Sequence, residues 1–239
     1  MADHTPRVVE QFLERTDALF GTDYCAVLYG SVARGDYVEG RSDVNLLVVT
    51  PRLAPAELRG LSVVLREFER QRFAPPLLIT ATEWARAADV FPIEITDMKL
   101  AYRVLKGVDP VAAQSVRPGD LRRALEAELR GKLLRLRVHF GLYGDDQEAL
   151  ATVVGHSAGS IRVLLRCMLA LAGRPVPLED KAMAAAAAAL CGCSAATLEQ
   201  LLGHRRHIAW KCPPELFEAY IGVVEQATHY VDHVHPGAH

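Results

Sequence analysis

The segment LYGSVARGDYVEGRSDVNLLVV, Leu28 to Val49, holds the residues best suited to chemistry. Gly30 and Ser31 follow an apolar run and open a short helical stretch. Backbone N–H groups at such a turn, the serine hydroxyl and the positive end of the helix suit a phosphate. Gly30 has no Cβ, so a ligand can approach the backbone closely. Asp43 and Asn45 flank one residue at the start of the next expected strand, and alternate residues of a strand share a face. Asp43 can ligate Mg²⁺, which prefers hard oxygen donors and keeps several waters. Asn45 offers a neutral carbonyl oxygen and no charge. Metal-assisted phosphate chemistry wants two carboxylates there; this chain has one carboxylate and one amide. Glu94, flanked by Ile93 and Ile95, is expected on a later strand, either on a solvated face or in a cleft. Asp97 falls on the opposite face of that strand and reads as a cap of the following helix. Arg34, one helical turn past Ser31, reads equally as a phosphate contact and as surface charge.

These residues need elements to hold them. PRVVEQFLERTDALFG carries Val8, Val9, Phe12, Leu13, Leu19 and Phe20 at helical spacing, and Gly21 is a natural stop. YCAVLYG and VNLLVV read as strands, PAELRGLSVVLREFERQ as an amphipathic helix, and PLLIT as a short strand after Pro75-Pro76. Thr82 is expected to cap a brief helix through Trp84. FPIEITDM alternates apolar and polar residues and reads as the last strand. From about Pro118 no strand pattern remains. Leu121, Leu125, Leu129, Leu133, Leu136 and Phe140 form one helical stripe. Asp145 with Glu148 resembles a capping box opening a helix to Leu171, on which Gly155 and Gly159 would admit a close neighbour. The alanine-rich EDKAMAAAAAAL is a strong helix former. Ser194 is expected to cap the next helix, and Pro213-Pro214 to begin the last. The second half is thus an expected bundle of about five helices with short connections.

Composition narrows the function classes. The chain has 239 residues, half of them hydrophobic, and a formal net charge of -2, so bulk charge announces no nucleic-acid partner. No apolar run reads as a membrane span, and the N-terminal residues do not read as a signal peptide. Five cysteines without framework spacing point to a reducing, cytoplasmic setting. Cys191-Gly192-Cys193 is too tight and isolated for a zinc clip. Neither His204 with His207 nor His229 with His233 has a third ligand nearby, so a metal reading is not favoured. Arg122, Arg123, Arg130, Lys132, Arg135 and Arg137 read as a solvated face opposite the leucine stripe; lining a cleft that meets an anion is the sharper alternative. Without aromatic platforms they make no nucleic-acid case. Cys25, Trp84 and Trp210 read as packing residues.

Taken together, a strand, Gly-Ser, a helix, a strand with Asp-x-Asn and a later lone carboxylate resemble the nucleotidyltransferase superfamily of DNA polymerase β, especially its minimal and kanamycin-type branches. GSVARGDYVEGRSDVN carries the likeness, and IEITDMKLAYRVLKG resembles the third-carboxylate strand with its adjoining segment. The resemblance implies a nucleoside triphosphate, ATP first, held by Gly30 and Ser31 with Arg34. It implies Mg²⁺ or Mn²⁺ at Asp43, Asn45 and Glu94, with Asp43 and Glu94 as the catalytic pair. Asn45 departs from the family's carboxylate pattern, which leaves a weakened enzyme and a catalytically silent nucleotide sensor or interaction module both open. Some minimal nucleotidyltransferases are accompanied by helical ribonuclease domains, but Arg135 and Arg137 stand too close to His139 for that pattern. The expectation is an α+β fold: a nucleotidyltransferase core over residues 1–115 with helices on one face of a mixed sheet, then a helical bundle over 116–239. The site is expected in the cleft between them. The acceptor, whether small molecule, protein or RNA end, is open; so is a homodimer; no membrane partner is expected.

Overall fold

A computed structural model describes residues 5–35, 37, 43–71, 73–203 and 210–234. The chain divides into two compact units, Met1–Ser115 and Val116–His239. The first is α+β and the second, over its described residues, is helical.

The first unit opens with α1 (Arg7–Phe20), which buries Val8, Val9, Phe12, Thr16 and Phe20 along one stripe. Gly21, at φ 60°, ends it by donating its N–H to the Asp17 carbonyl. Strand β1 (Cys25–Tyr29) leads through Gly30 into the single turn α2 (Ser31–Arg34). Beyond it lie β2 (Asn45–Thr50), α3 (Pro55–Arg70) with proline in its first turn, and β3 (Leu77–Thr80). The sheet is mixed, in the order β3-β2-β1-β4, where β4 is Tyr102–Lys106. Strand β1 is antiparallel to β2 and β4, while β2 and β3 are parallel and joined by the α3 crossover. Parallel neighbours need such a crossover, whereas antiparallel ones do not. Helices α1 and α3 cover one sheet face. There Phe12, Leu61, Val64 and Phe68 close over Ala26, Leu28, Leu46 and Val48. Phe12 and Phe68 meet edge to face at 5.6 Å.

The segment expected as the last strand is a helix, α5 (Pro92–Leu100); the strand lies further on, at β4. Glu94 is therefore on a helix, and Asp97 sits within that helix instead of capping the next one. Pro92 explains the change: its fixed φ suits the first helical position. The alternation of Ile93 and Ile95 is misleading, because Met98, out of step with it, is buried too. The cap of α4 (Ala81–Trp84) is Thr80 and not Thr82. Its hydroxyl accepts from the Glu83 N–H, and the Glu83 carboxylate reaches back to the Thr80 N–H.

The second unit contains α6 (Pro118–Tyr143), α7 (Gln147–Leu171), α8 (Asp180–Cys191), α9 (Ala195–Gly203) and α10 (Pro214–His233). Leu121, Leu125, Leu129 and Leu136 of the stripe are buried. Helix α6 packs on both α7 and α10. The cap of α7 is Asp146, one residue past Asp145. The Asp146 carboxylate accepts from the Glu148 and Ala149 N–H groups at 3.1 and 3.0 Å. Ser194 caps α9 through the Thr197 N–H, and Pro214 opens α10. Gly155 and Gly159 face open space, so they do not serve close helix approach. By length and composition α7 could cross a membrane, contrary to the reading of the sequence. It is instead a core helix: Leu164, Leu165, Cys167, Met168 and Leu169 are buried, and buried Arg162 pairs with Asp180 of α8.

Candidate functional site

The site is built where β1 ends. Gly30 has φ 75° and ψ -143°, a backbone open to glycine and strained for other residues. A Cβ at Gly30 would also stand 2.5 Å from Nδ2 of Asn45. Strand pairing causes this closeness, because Tyr29 lies directly opposite Asn45 in the antiparallel β1–β2 ladder. The Asn45 amide thus packs over the Gly30 backbone, with its nitrogen toward the glycine. Ser31 is buried, and its Oγ donates to the Asp43 carbonyl at 3.3 Å. That bond ties the start of α2 to the chain just before β2. The structure therefore brings Gly30, Ser31, Asp43 and Asn45 together. Arg34 ends α2, and its Nε and Nη1 are withdrawn from solvent.

Helix α5 joins this corner from the other side. The Gly30 N–H donates to the Ala101 carbonyl at 3.3 Å, at the junction of α5 and β4. Glu94 and Asp97, three apart, project to one side of the helix. Glu94 is exposed and Asp97 is buried. Both act on Tyr29: burial pushes its phenol up to about 12, and the negative charges of Asp97 and Glu94 add to the effect. The sequence reading passes over Tyr29 and gives Asp97 only a capping role. Tyr29 could have been found as the residue preceding Gly30 on the same strand, and the place of Asp97 from the Pro92 helix start.

The site face of the sheet carries Tyr29, Asn45 and Leu47. In-register parallel partners point the same way, so Leu77, opposite Leu47, and Ile79, opposite Val49, extend that face across β3. Strand β3 thus contributes aliphatic side chains and no carboxylate there. Among the described residues no group of three His, Cys, Asp or Glu side chains is placed to hold a metal ion. The oxygen donors at the β2 start are the Asp43 carboxylate and the Asn45 carbonyl.

The other sequence candidates fall elsewhere. Arg122 and Arg130 pair with Glu126, Arg130 also with Asp232, Arg137 with Glu225, and Arg123 with Asp120. They form an ion-paired surface that stitches α6 to α10. Lys132 is the exception to the solvated-face reading, being buried. His233 Nδ1 lies 2.8 Å from the His229 carbonyl, to which it donates, with the two rings 4.1 Å apart. His204 and His207 lie outside the described residues. The Cys191 and Cys193 sulfurs approach to 3.4 Å, which holds the Cys191 thiol below its ordinary range and raises that of Cys193. Trp84 is buried and donates to the Pro110 carbonyl.

Residues 9–104, a stretch that spans most of the first unit, match the family described as "Nucleotidyltransferase domain". The fold is similar to that of a solved spectinomycin adenyltransferase, AAD(9) from Enterococcus faecialis, determined with ATP and spectinomycin. The TM-score is 0.58 at 12% identity, over 96% of this chain and 100% of that one. No curated protein matches the sequence.

Proposed function

We propose that this protein transfers a nucleotidyl group, adenylyl from ATP, to an acceptor hydroxyl at the corner formed by Gly30, Ser31, Asp43 and Asn45. The observation that carries the reading is the packing of Asn45 over the positive-φ Gly30, with Asp43 tied to Ser31 beside it. It joins a backbone cradle for phosphate to a residue with a hard anionic oxygen just before the adjoining strand. The donor set fits one Mg²⁺ arriving with its nucleotide. Mg²⁺ commonly takes one or two carboxylates and completes its shell with phosphate oxygens and water. Asp43 would supply the carboxylate and Asn45 Oδ1 a neutral oxygen. When bound, the ion supplies charge neutralisation for the triphosphate. The chain's own residues then orient the α-phosphate. The backbone N–H groups after Gly30, that of Ser31 first, hold phosphate oxygens, and Glu94, exposed on α5, takes the proton of the acceptor hydroxyl. The acceptor oxygen bonds to the α-phosphorus as the bond to pyrophosphate breaks.

A second reading has its own support: Asn45 is an amide, and β3 presents Leu77 and Ile79 on the site face. Both features reduce negative charge where a two-metal cage would need it, and they favour a nucleotide-binding module without turnover. One experiment separates the two readings. Pyrophosphate release is measured with Mg²⁺, ATP and a panel of hydroxyl-bearing acceptors, for the natural protein and for Asn45→Asp. Release that rises by about tenfold or more in Asn45→Asp, equivalent to about 1.4 kcal/mol of barrier, supports transfer limited by charge. ATP binding that survives in both forms, with no release from either, supports the silent module. Failure of ATP to bind the natural protein overturns both.

A further inference from the structure

A second site lies wholly within the helical unit. Between α6 and α7 is a cavity of about 620 Å³, within the range of small-molecule pockets. Its polar lining includes Lys132, Arg135 and His139 from α6 and His156, Ser157 and Ser160 from α7. No Asp or Glu lines it among the described residues. This sets it apart from the rest of α6, whose Arg122, Arg130 and Arg137 are matched by carboxylates.

The polar groups are built in, not left over from the surface. Lys132 is only 6% exposed, and its Nζ donates to Ser160 Oγ at 2.7 Å. Ser160 Oγ in turn donates to the Ser157 carbonyl, and Ser157 Oγ shares a hydrogen bond with the Tyr220 hydroxyl. His139 stacks on Tyr143 with planes 11° apart, and its Nδ1 is buried without a hydrogen-bond partner among the described residues. Burying an ammonium without a carboxylate contact is costly. Here burial and the nearby Arg135 charge push Lys132 down to about 8, with Glu128 acting in the opposite sense. An anionic ligand would relieve that cost.

We propose that this cavity binds a small phosphate monoester, of sugar or nucleoside size, with the phosphate held by Lys132 and Arg135 together with the imidazoles of His139 and His156. A phosphate has three peripheral oxygens and close to two negative charges, which matches one ammonium, one guanidinium fork and the two imidazoles better than a carboxylate does. Leu136, Val153 and the His139–Tyr143 stack supply the apolar wall for the ligand body. The site stands independently of nucleotidyl transfer.

The test is calorimetric titration of the full chain with ribose 5-phosphate, and with ribose as the neutral control. Ribose 5-phosphate is expected to bind and ribose is not. Lys132→Met and the more exposed Arg135→Gln should each weaken binding by about tenfold or more, the scale of losing a charge-assisted hydrogen bond. Asp43→Ala, which disables the corner in the first unit, should leave the affinity unchanged. Arg135→Gln keeps the test sound if Lys132→Met does not fold. Absence of binding at millimolar ribose 5-phosphate, affinity unaltered by Arg135→Gln, or binding abolished by Asp43→Ala would each overturn the proposal.

Discussion

Replacing Gly30 with alanine perturbs two things that the structure separates. The first is the backbone: at φ 75° and ψ -143° the Cβ of an L-residue crowds the main chain, which costs about 1–3 kcal/mol. The second is the new methyl group, 2.5 Å from Asn45 Nδ2, while the Asn45 Cγ is already at 3.5 Å. The obstructing atom is the tip of a side chain, so Asn45 can swing aside. Leaving its rotamer costs about 0.5–1.5 kcal/mol. Gly30→Ala should therefore destabilise the first unit by about 1.5–4.5 kcal/mol in urea unfolding. In an Asn45→Ala background only the backbone part remains, so the cost should fall to about 1–3 kcal/mol. The coupling in the double-mutant cycle is then about 0.5–1.5 kcal/mol. If Gly30→Ala costs the same in both backgrounds, Asn45 does not pack over Gly30 and the proposed phosphate corner loses its basis. The same displaced amide should also weaken ATP binding in Gly30→Ala, a readout independent of stability.

Two further outcomes test the surrounding framework. Asp146→Ala should lose about 1 kcal/mol of stability by uncapping α7, while Asp145→Ala should be close to neutral; chemical denaturation of the pair decides which aspartate is the cap. The Tyr24 hydroxyl and Lys106 hold the Asp17 carboxyl below its ordinary range. Because the folded value is depressed, this contribution is present above the unfolded value of about 3.9 and is lost as pH falls through the folded one. Tyr24→Phe should raise the Asp17 carboxyl, followed by its carbon chemical shift, and a titration unmoved in Tyr24→Phe would refute the assignment.

The parts of the fold that are legible in the sequence are those set by local constraints. An apolar run entering Gly30-Ser31, and a second run closed by Thr50-Pro51, fix β1 and β2 within a few residues of chain. The leucine stripe of α6 is long enough for its period to be unambiguous. Helix α5 escapes because Pro92–Leu100 is nine residues long, too short for its spacing to outweigh the alternation of Ile93 and Ile95. Glu94 and Asp97 go with it, so the acidic side of the corner is expected on the wrong kind of element. The α7 cap is displaced by one because Asp145 and Asp146 are chemically identical neighbours. Lys132 is misplaced by residue type: charge assigns it to solvent, although positions 129, 132 and 136 share one helical face with the leucines. The pairing that sets Asn45 against Gly30 is a tertiary register, and no local signal announces which residue of β2 will face Tyr29.

The hydrogen bond from the Gly30 amide to the Ala101 carbonyl has a mechanical implication. It pins the hinge of α5 and β4 to the residue that precedes Ser31. Any displacement of the helix bearing Glu94 would drag the Gly30-Ser31 turn with it, and the reverse holds as well. Helix and turn are geared to one another, so substitutions at Ala101 or Tyr102 would detune both together.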